Sequence, residues 1–253
     1  MPGTMLVVGA HMDDCENGAG GVMLDAISRG WRVVTVTVVG DFTTWEPTVG
    51  REEQVVKDLT DLADSFGYEK RFLDYAYHQV APDIELKNRL AVIYDELRPE
   101  IGLVHWHDDH WPDHSAVGIA AKDALIFAHG LSGNLASPRC PRVLAYSATP
   151  HQTINFRPDV YHNITHVMSD YMRLIIGTDA CLSGRPQSEI NRNTISWGLG
   201  AAQRLGTIEC SYHGWTKLAE CVVWGDESQV VPFAQGLRHL WGPRDGRPLL
   251  EQD

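Results

Sequence analysis

Cysteine is scarce and unpatterned in this chain. There are five among 253 residues, at positions 15, 140, 181, 210 and 221, with no C-x-x-C. An odd, widely spaced set argues against a disulfide framework and suits a reducing compartment, so the expected location is the cytoplasm. Excess positive charge is also missing. Lys and Arg number 21 against 33 Asp and Glu, a formal charge of −12. Neutralising phosphates needs clustered cations, so no nucleic-acid partner is expected. No apolar stretch approaches the roughly 20 residues needed to span a bilayer, and the opening MPGTMLVVGA lacks the basic segment and cleavage site of a secretory leader. A membrane partner is therefore not expected. Low-complexity tracts, internal repeats and domain-length linkers are wanting too. The composition that remains, 43% apolar, is that of an ordinary globular chain able to bury a sizeable core.

The pattern that is present alternates strands with helices. Met5–Gly9 reads as a short buried strand and Trp31–Val39, β-branched throughout, as a second. Ile101–Trp106 and Arg142–Ser147 are two more. Between them, helical spacing predicts Gly18–Arg29, Arg51–Phe66 with Gly67 just beyond its end, Ile84–Leu97 stopped before Pro99, and Pro112–Ala128 opened by its proline. This order implies a Rossmann-like α/β fold, a mostly parallel sheet with helices on both faces. Beyond residue 150 the signal blurs. Val160–Ile164 reads as an edge strand, Asp170–Ala180 and Asn193–Gln203 as helices, and Ala219–Trp224 as a last strand or helix. The simplest organisation is one domain over 1–253, a core in 1–150 that carries the site and a C-terminal α/β elaboration over 151–253 that shapes a cleft.

Ligands of such sheets bind beyond the carboxyl ends of the strands, and two clusters of metal-liking side chains stand there. His11-Met12-Asp13-Asp14-Cys15-Glu16 follows the first strand. His105-Trp106-His107-Asp108-Asp109-His110-Trp111-Pro112-Asp113-His114 follows the strand 101–106. His11 and Asp14 are spaced so that a tight turn points both at one ion, and His114 lies in the first turn of a helix. A His–Asp–His set leaves coordination positions open, as catalytic zinc requires, and would also accept iron(II). Asp13 is then free to act as a general base.

At these residues the chain resembles the PIG-L, or LmbE-like, family of zinc-dependent N-deacetylases. The family's A-H-P-D-D-E motif stands here as Ala10-His11-Met12-Asp13-Asp14-Cys15-Glu16, followed by Gly18-Ala19-Gly20-Gly21. Its second motif stands as Asp109-His110-Trp111-Pro112-Asp113-His114, and its helix-opening arginine as Arg51-Glu52-Glu53. The resemblance implies His11, Asp14 and His114 as ligands of zinc, with iron(II) or another divalent ion possible, and Asp13 as general base. It also implies hydrolysis of an N-acyl amide, most often on an acetylated amino sugar, and a homo-oligomer. The family's oxyanion-stabilising histidine maps best onto His110, with His107, His151 and His213 as alternatives.

Several positions keep two readings. Met12 replaces the motif's usual proline. Cys15 is a soft ligand or a packed thiol. Arg51 clamps a substrate or is a surface charge. Asp109 and Asp113 orient ligand histidines from behind or favour a helix dipole. Trp45 and Trp111 stack on substrate or fill core, and His213, in the apparently aperiodic loop 208–215, touches substrate or does not. The glycines at 18, 20 and 21 are not a dinucleotide motif, since no G-x-G-x-x-G is present. The same site could serve another acyl, cyclic amide or ester substrate, or a non-catalytic metal- or sugar-binding protein.

Overall fold

Met5 and Val7 pack into one apolar cluster while Leu6 and Val8 pack into another, because successive side chains of a strand point to opposite faces. This strand, β1 (Thr4–Gly9), therefore lies in a sheet covered on both sides, as its unbroken apolar run requires. The computed structural model describes residues 2–148, 152–156, 160–187, 207–211 and 214–221. After β1 come α1 (Asp14–Ser28), β2 (Arg32–Asp41), α2 (Glu52–Phe66), β3 (Glu69–Ala76), α3 (Ile84–Leu97), β4 (Ile101–His105), α4 (Pro112–Ile126) and the short α5 (Ala128–Leu131). Next are β5 (Arg142–Tyr146), β6 (Val160–Asn163), α6 (Met168–Ser183), β7 (Thr207–Ser211) and β8 (Gly214–Cys221). Five parallel strands run in the order β3-β2-β1-β4-β5, and β6, β7 and β8 continue the sheet beyond β5. Helices α1 and α6 cover one face and α3 and α4 the other. The chain thus has the α/β fold that its alternation of elements implies.

Local chemistry accounts for most boundaries. Gly67 ends α2 at φ 85°, a left-handed cap that glycine adopts without strain. The Asp83 carboxylate accepts from Leu86 N at the start of α3, and Pro112 opens α4.

Four expectations need correction. Helix α1 begins at Asp14 rather than Gly18, since Asp14 and Glu16 suit the positive end of the helix dipole. Strand β6 is flanked by both β7 and β8, so it is no edge. The stretch 208–215, read as loop, is mostly strand, in β7 and β8. Finally, β3 went unread because its inward side chain at 70 is a lysine, not an apolar residue. The helix expected at Asn193–Gln203 lies outside the described residues.

The sheet order reverses on either side of β1: β2 and β3 follow on one flank, β4 and β5 on the other. The carboxyl ends of β1 and β4 therefore open a crevice, and both His/Asp clusters leave the sheet there. Two glycines let the helices close on it. A Cβ at Gly18 of α1 would sit 2.4 Å from the Tyr146 ring, and one at Gly118 of α4 would sit 2.6 Å from the His105 carbonyl oxygen.

Candidate metal centre

His11 leaves β1, Asp14 opens α1, and His114 lies in the first turn of α4. Although more than ninety residues separate the two segments, their ligand atoms lie within 4.8 Å of one another. His11 Nδ1 stands 3.0 Å from His114 Nε2, 3.5 Å from Asp14 Oδ2, and His114 Nε2 stands 3.3 Å from Asp14 Oδ1. The opposite nitrogen of each ring is held by a carboxylate. His11 Nε2 is 3.0 Å from Asp113 Oδ2, and His114 Nδ1 is 3.2 Å from Asp109 Oδ2. Both carboxylates are fixed in turn by backbone N–H groups, Asp113 by His78 and Val80 and Asp109 by Trp111.

This arrangement tests the site for a cation. With Nε2–H of His11 and Nδ1–H of His114 donating to Asp113 and Asp109, the two facing nitrogens are left with lone pairs. A third acceptor, the Asp14 carboxylate, completes the group. In those tautomers three lone-pair acceptors converge, a donor set that fits a divalent cation. The same carboxylates raise the basicity of both rings. Burial alone would lower His11, but hydrogen bonds with Asp113 and Asp14 raise it to about 9. Burial likewise opposes His114, which the Asp14 charge and the Asp109 hydrogen bond raise to about 10. For Asp14 burial works upward, yet the charges of His114 and His105 hold it well below the usual carboxylate range.

Asp13 is set apart from this group. Burial and the neighbouring Asp14 charge push its carboxyl up to about 6, and Asn17, one helical turn along, donates to its Oδ2 at 2.9 Å. His105, at the end of β4, lies beneath the group. Its Nε2 is 3.0 Å from Asp14 Oδ2, and its ring stacks on His114 at 4.5 Å. Burial lowers its basicity.

Above the group opens a cavity of about 170 Å³ lined by His11, Met12, Asp13, Asp14, Phe42, Trp45, Tyr77, Trp111, His114 and Gln152. Trp111 is braced by the ring of His78, stacked at 5.1 Å and within 3° of parallel. His78 has φ 61°, and its N–H donates to Asp113. One carboxylate thus ties the rim of the cavity to His11.

Not every expected site residue is brought here. His110 is exposed and absent from the lining. A bridge between Asp109 and Thr153, with His110 N–H donating to the Gln152 carbonyl, extends this stretch. Alternate side chains therefore turn inward, Asp109 and Trp111, and His110 turns out. Arg51 is also elsewhere, donating from Nη2 to the carbonyls of Leu182 and Pro47, where it ties the start of α2 to the end of α6. Cys15 is buried, its thiol pushed up by burial and 3.8 Å from the Val7 carbonyl oxygen, so it packs rather than ligates. His151 and His213 lie outside the described residues. The sequence reading missed Asn17, Tyr77 and His78, and gave His105 no role beyond its place in the second cluster. Of the three missed, only Asn17 left a signal, its helical i,i+4 spacing from Asp13.

The segment that builds this site is a known one: residues 6–125 match PIG-L, GlcNAc-PI de-N-acetylase. Over that segment the chain is similar to the PIG-L family. No curated protein matches the chain. Solved structures of similar fold are found as well. GalB, the 4-carboxy-2-hydroxymuconate hydratase of Pseudomonas putida KT2440, is 23% identical, with a TM-score of 0.64 over 79% of this chain and 84% of its own. The N,N'-diacetylchitobiose deacetylase of Pyrococcus horikoshii is 19% identical, with a TM-score of 0.61 over 79% and 76%. A zinc-inhibited form of the teicoplanin deacetylase Orf2 is 14% identical, with a TM-score of 0.58 over 85% and 96%. At these identities the likeness is one of fold. None of the described helices is long and apolar enough to cross a membrane.

Proposed function

We propose that this protein is a divalent-metal-dependent hydrolase of N-acyl amides, with His11, Asp14 and His114 as the ligands and zinc as the leading candidate ion. The observation that carries the reading is the convergence of ligand atoms of His11, Asp14 and His114 within 4.8 Å of one another, beside a further carboxylate, Asp13. When bound, the ion would polarise the acyl carbonyl and lower the pKa of a water. Asp13, held by Asn17, takes a proton from the water that attacks the carbonyl carbon. It then returns that proton to the leaving nitrogen as the C–N bond breaks, giving a carboxylic acid and an amine. Asp113 and Asp109 hold the two histidines in the tautomers that ligation needs. Tyr77 and Gln152 bring neutral hydrogen-bonding groups to the wall, and Phe42, Trp45 and Trp111 bring flat apolar faces that suit a sugar ring or an aromatic group. The family description and the deacetylases among the structural neighbours support an N-acetyl compound as the substrate.

The test is metal content followed by a substrate panel. Chain purified without added metal, then supplied with zinc, is expected to retain one equivalent, and His114→Ala to retain none. A panel of N-acetylated amino sugars, N-acetylated amino acids, cyclic amides, esters and an unsaturated hydroxy-acid then assigns the bond. The last compound probes hydration, the activity in GalB's name. Turnover of the unsaturated acid alone would remove the amide reading and keep the metal. Absence of zinc from both proteins would remove both.

A further inference from the structure

The most deeply buried ion pair outside the metal group lies directly under the loop that carries it. The Lys70 and Glu16 side chains are 0% and 1% exposed. Lys70 Nζ donates to both Glu16 oxygens, at 2.9 and 3.0 Å, and to the Met12 carbonyl at 2.8 Å. The Tyr68 hydroxyl donates to Glu16 Oε1 at 2.7 Å. Every donor of the ammonium is used, and one is spent on the peptide between His11 and Asp13.

Such a pair is a poor way to gain stability. Removing two charges from water costs about as much as their attraction returns, and well-packed apolar residues of similar size often serve as well or better. What the pair does supply is a fixed point. Met12 sits in a turn between β1 and α1 with no ladder hydrogen bond to set its carbonyl. Strand β3 is anchored in the sheet by β2, so Lys70 reaches that carbonyl from a rigid support. Glu16, on the first turn of α1, holds the ammonium from the other side. The clamp therefore joins β3, the 11–13 turn and the start of α1, which between them aim His11, Asp13 and Asp14.

We infer that Lys70, backed by Glu16 and Tyr68, is a positioning residue for the metal site, setting the 11–14 loop so that His11 and Asp14 reach one ion and Asp13 faces the cavity. Lys70 touches neither substrate nor reacting atoms. The inference rests on the proposed ligand set but not on the identity of the substrate.

A triple variant, Lys70→Met with Glu16→Met and Tyr68→Phe, separates positioning from stability. It removes the charges and the hydroxyl together and leaves none of the three polar side chains unpaired. Its thermal midpoint is expected to stay near that of the unaltered chain. Its zinc dissociation constant, read by competition with a chromophoric chelator, is expected to rise roughly 10-fold or more, the scale on which supporting residues affect metal affinity. On any substrate the unaltered chain turns over, kcat should fall with KM little changed, because the aromatic walls are untouched. Zinc affinity equal to that of the unaltered chain would overturn the inference, as would a parallel loss of fold and affinity restored together by added zinc. Should the triple variant not fold, Lys70→Gln answers the question, since it keeps a neutral donor of shorter reach. Unchanged zinc affinity there would overturn the inference equally. Failure of the unaltered chain to bind zinc would instead overturn the proposed function, so the two outcomes are distinct.

Discussion

Asp14 and Asp25 stand near opposite ends of α1, both buried and both against histidines, but their surroundings differ in kind. Asp25 receives His162 Nε2 on one oxygen at 2.8 Å, and His166 Nε2 and Arg29 Nε on the other at 2.7 and 3.0 Å. Donors surround that carboxylate, and Arg29 supplies the positive charge. At Asp14 the order is inverted. His11 and His114 set one ring nitrogen against Asp113 and Asp109 and turn the other toward a third acid. One cluster is saturated by hydrogen-bond donors, while the other groups the ligand atoms that suit a cation. Residue types do not separate the two. What does is where the second nitrogen of each ring is spent.

The largest expected effect breaks the comparison at its chemical end. Asp13→Asn removes the base but none of the three proposed ligands, so kcat on an N-acyl substrate should fall on the order of 10²–10⁴-fold, with zinc still at one equivalent by elemental analysis. A fall in zinc to match would make Asp13 a ligand and leave the base unassigned. Next comes metal-linked stability. Zinc at a hundredfold excess over its dissociation constant should raise the unfolding free energy by about 2.7 kcal/mol, measured by denaturant titration. The gain should vanish in His114→Ala and survive in His162→Ala. If His162→Ala abolished it too, the cluster at Asp25 would be the metal site.

Much of this could be read without coordinates, and the misses share a cause. The strands β1, β2, β4 and β5 announce themselves as β-branched or apolar runs, and the ends of α2 and α3 by Gly67 and Pro99. The two clusters were legible because a strand end followed by His and Asp has few other uses in a parallel sheet. Lys70 was not, since a lysine marks a strand position as outward unless Glu16, on another element, meets it. Arg51 opened its helix as expected, but its partner, the Leu182 carbonyl, lies 131 residues away. His110 and Trp111 were distinguishable only once the bridge to Thr153 fixed which side chain turns inward. Sequence carries periodicity and local chemistry. It does not carry the pairing of two distant segments, and each of these four residues depends on one.

The saturated cluster offers the remaining, smaller effects. Asp25→Asn keeps the shape but weakens the charge-assisted hydrogen bond from Arg29. It should cost about 1.5–3 kcal/mol of unfolding free energy and leave zinc affinity unchanged. The sign of its pH dependence follows from the depressed carboxyl. Burial opposes ionisation, but the hydrogen bonds from His162 and Arg29 outweigh it and hold Asp25 well below its ordinary 3.8. The folded state therefore binds its proton later than the unfolded chain does. The stability this supplies is present in full above the unfolded value and drains away as pH falls through the folded one. In zinc-free buffer, the gap in denaturant midpoint between the unaltered chain and Asp25→Asn should hold down to about pH 5 and narrow below about pH 4. Zinc-linked stability should disappear at higher pH than that, because protons compete with the metal for ring nitrogens. If both were lost over one pH range, the two clusters would titrate as a single unit, and the contrast between a saturated carboxylate and one that suits a cation would fail.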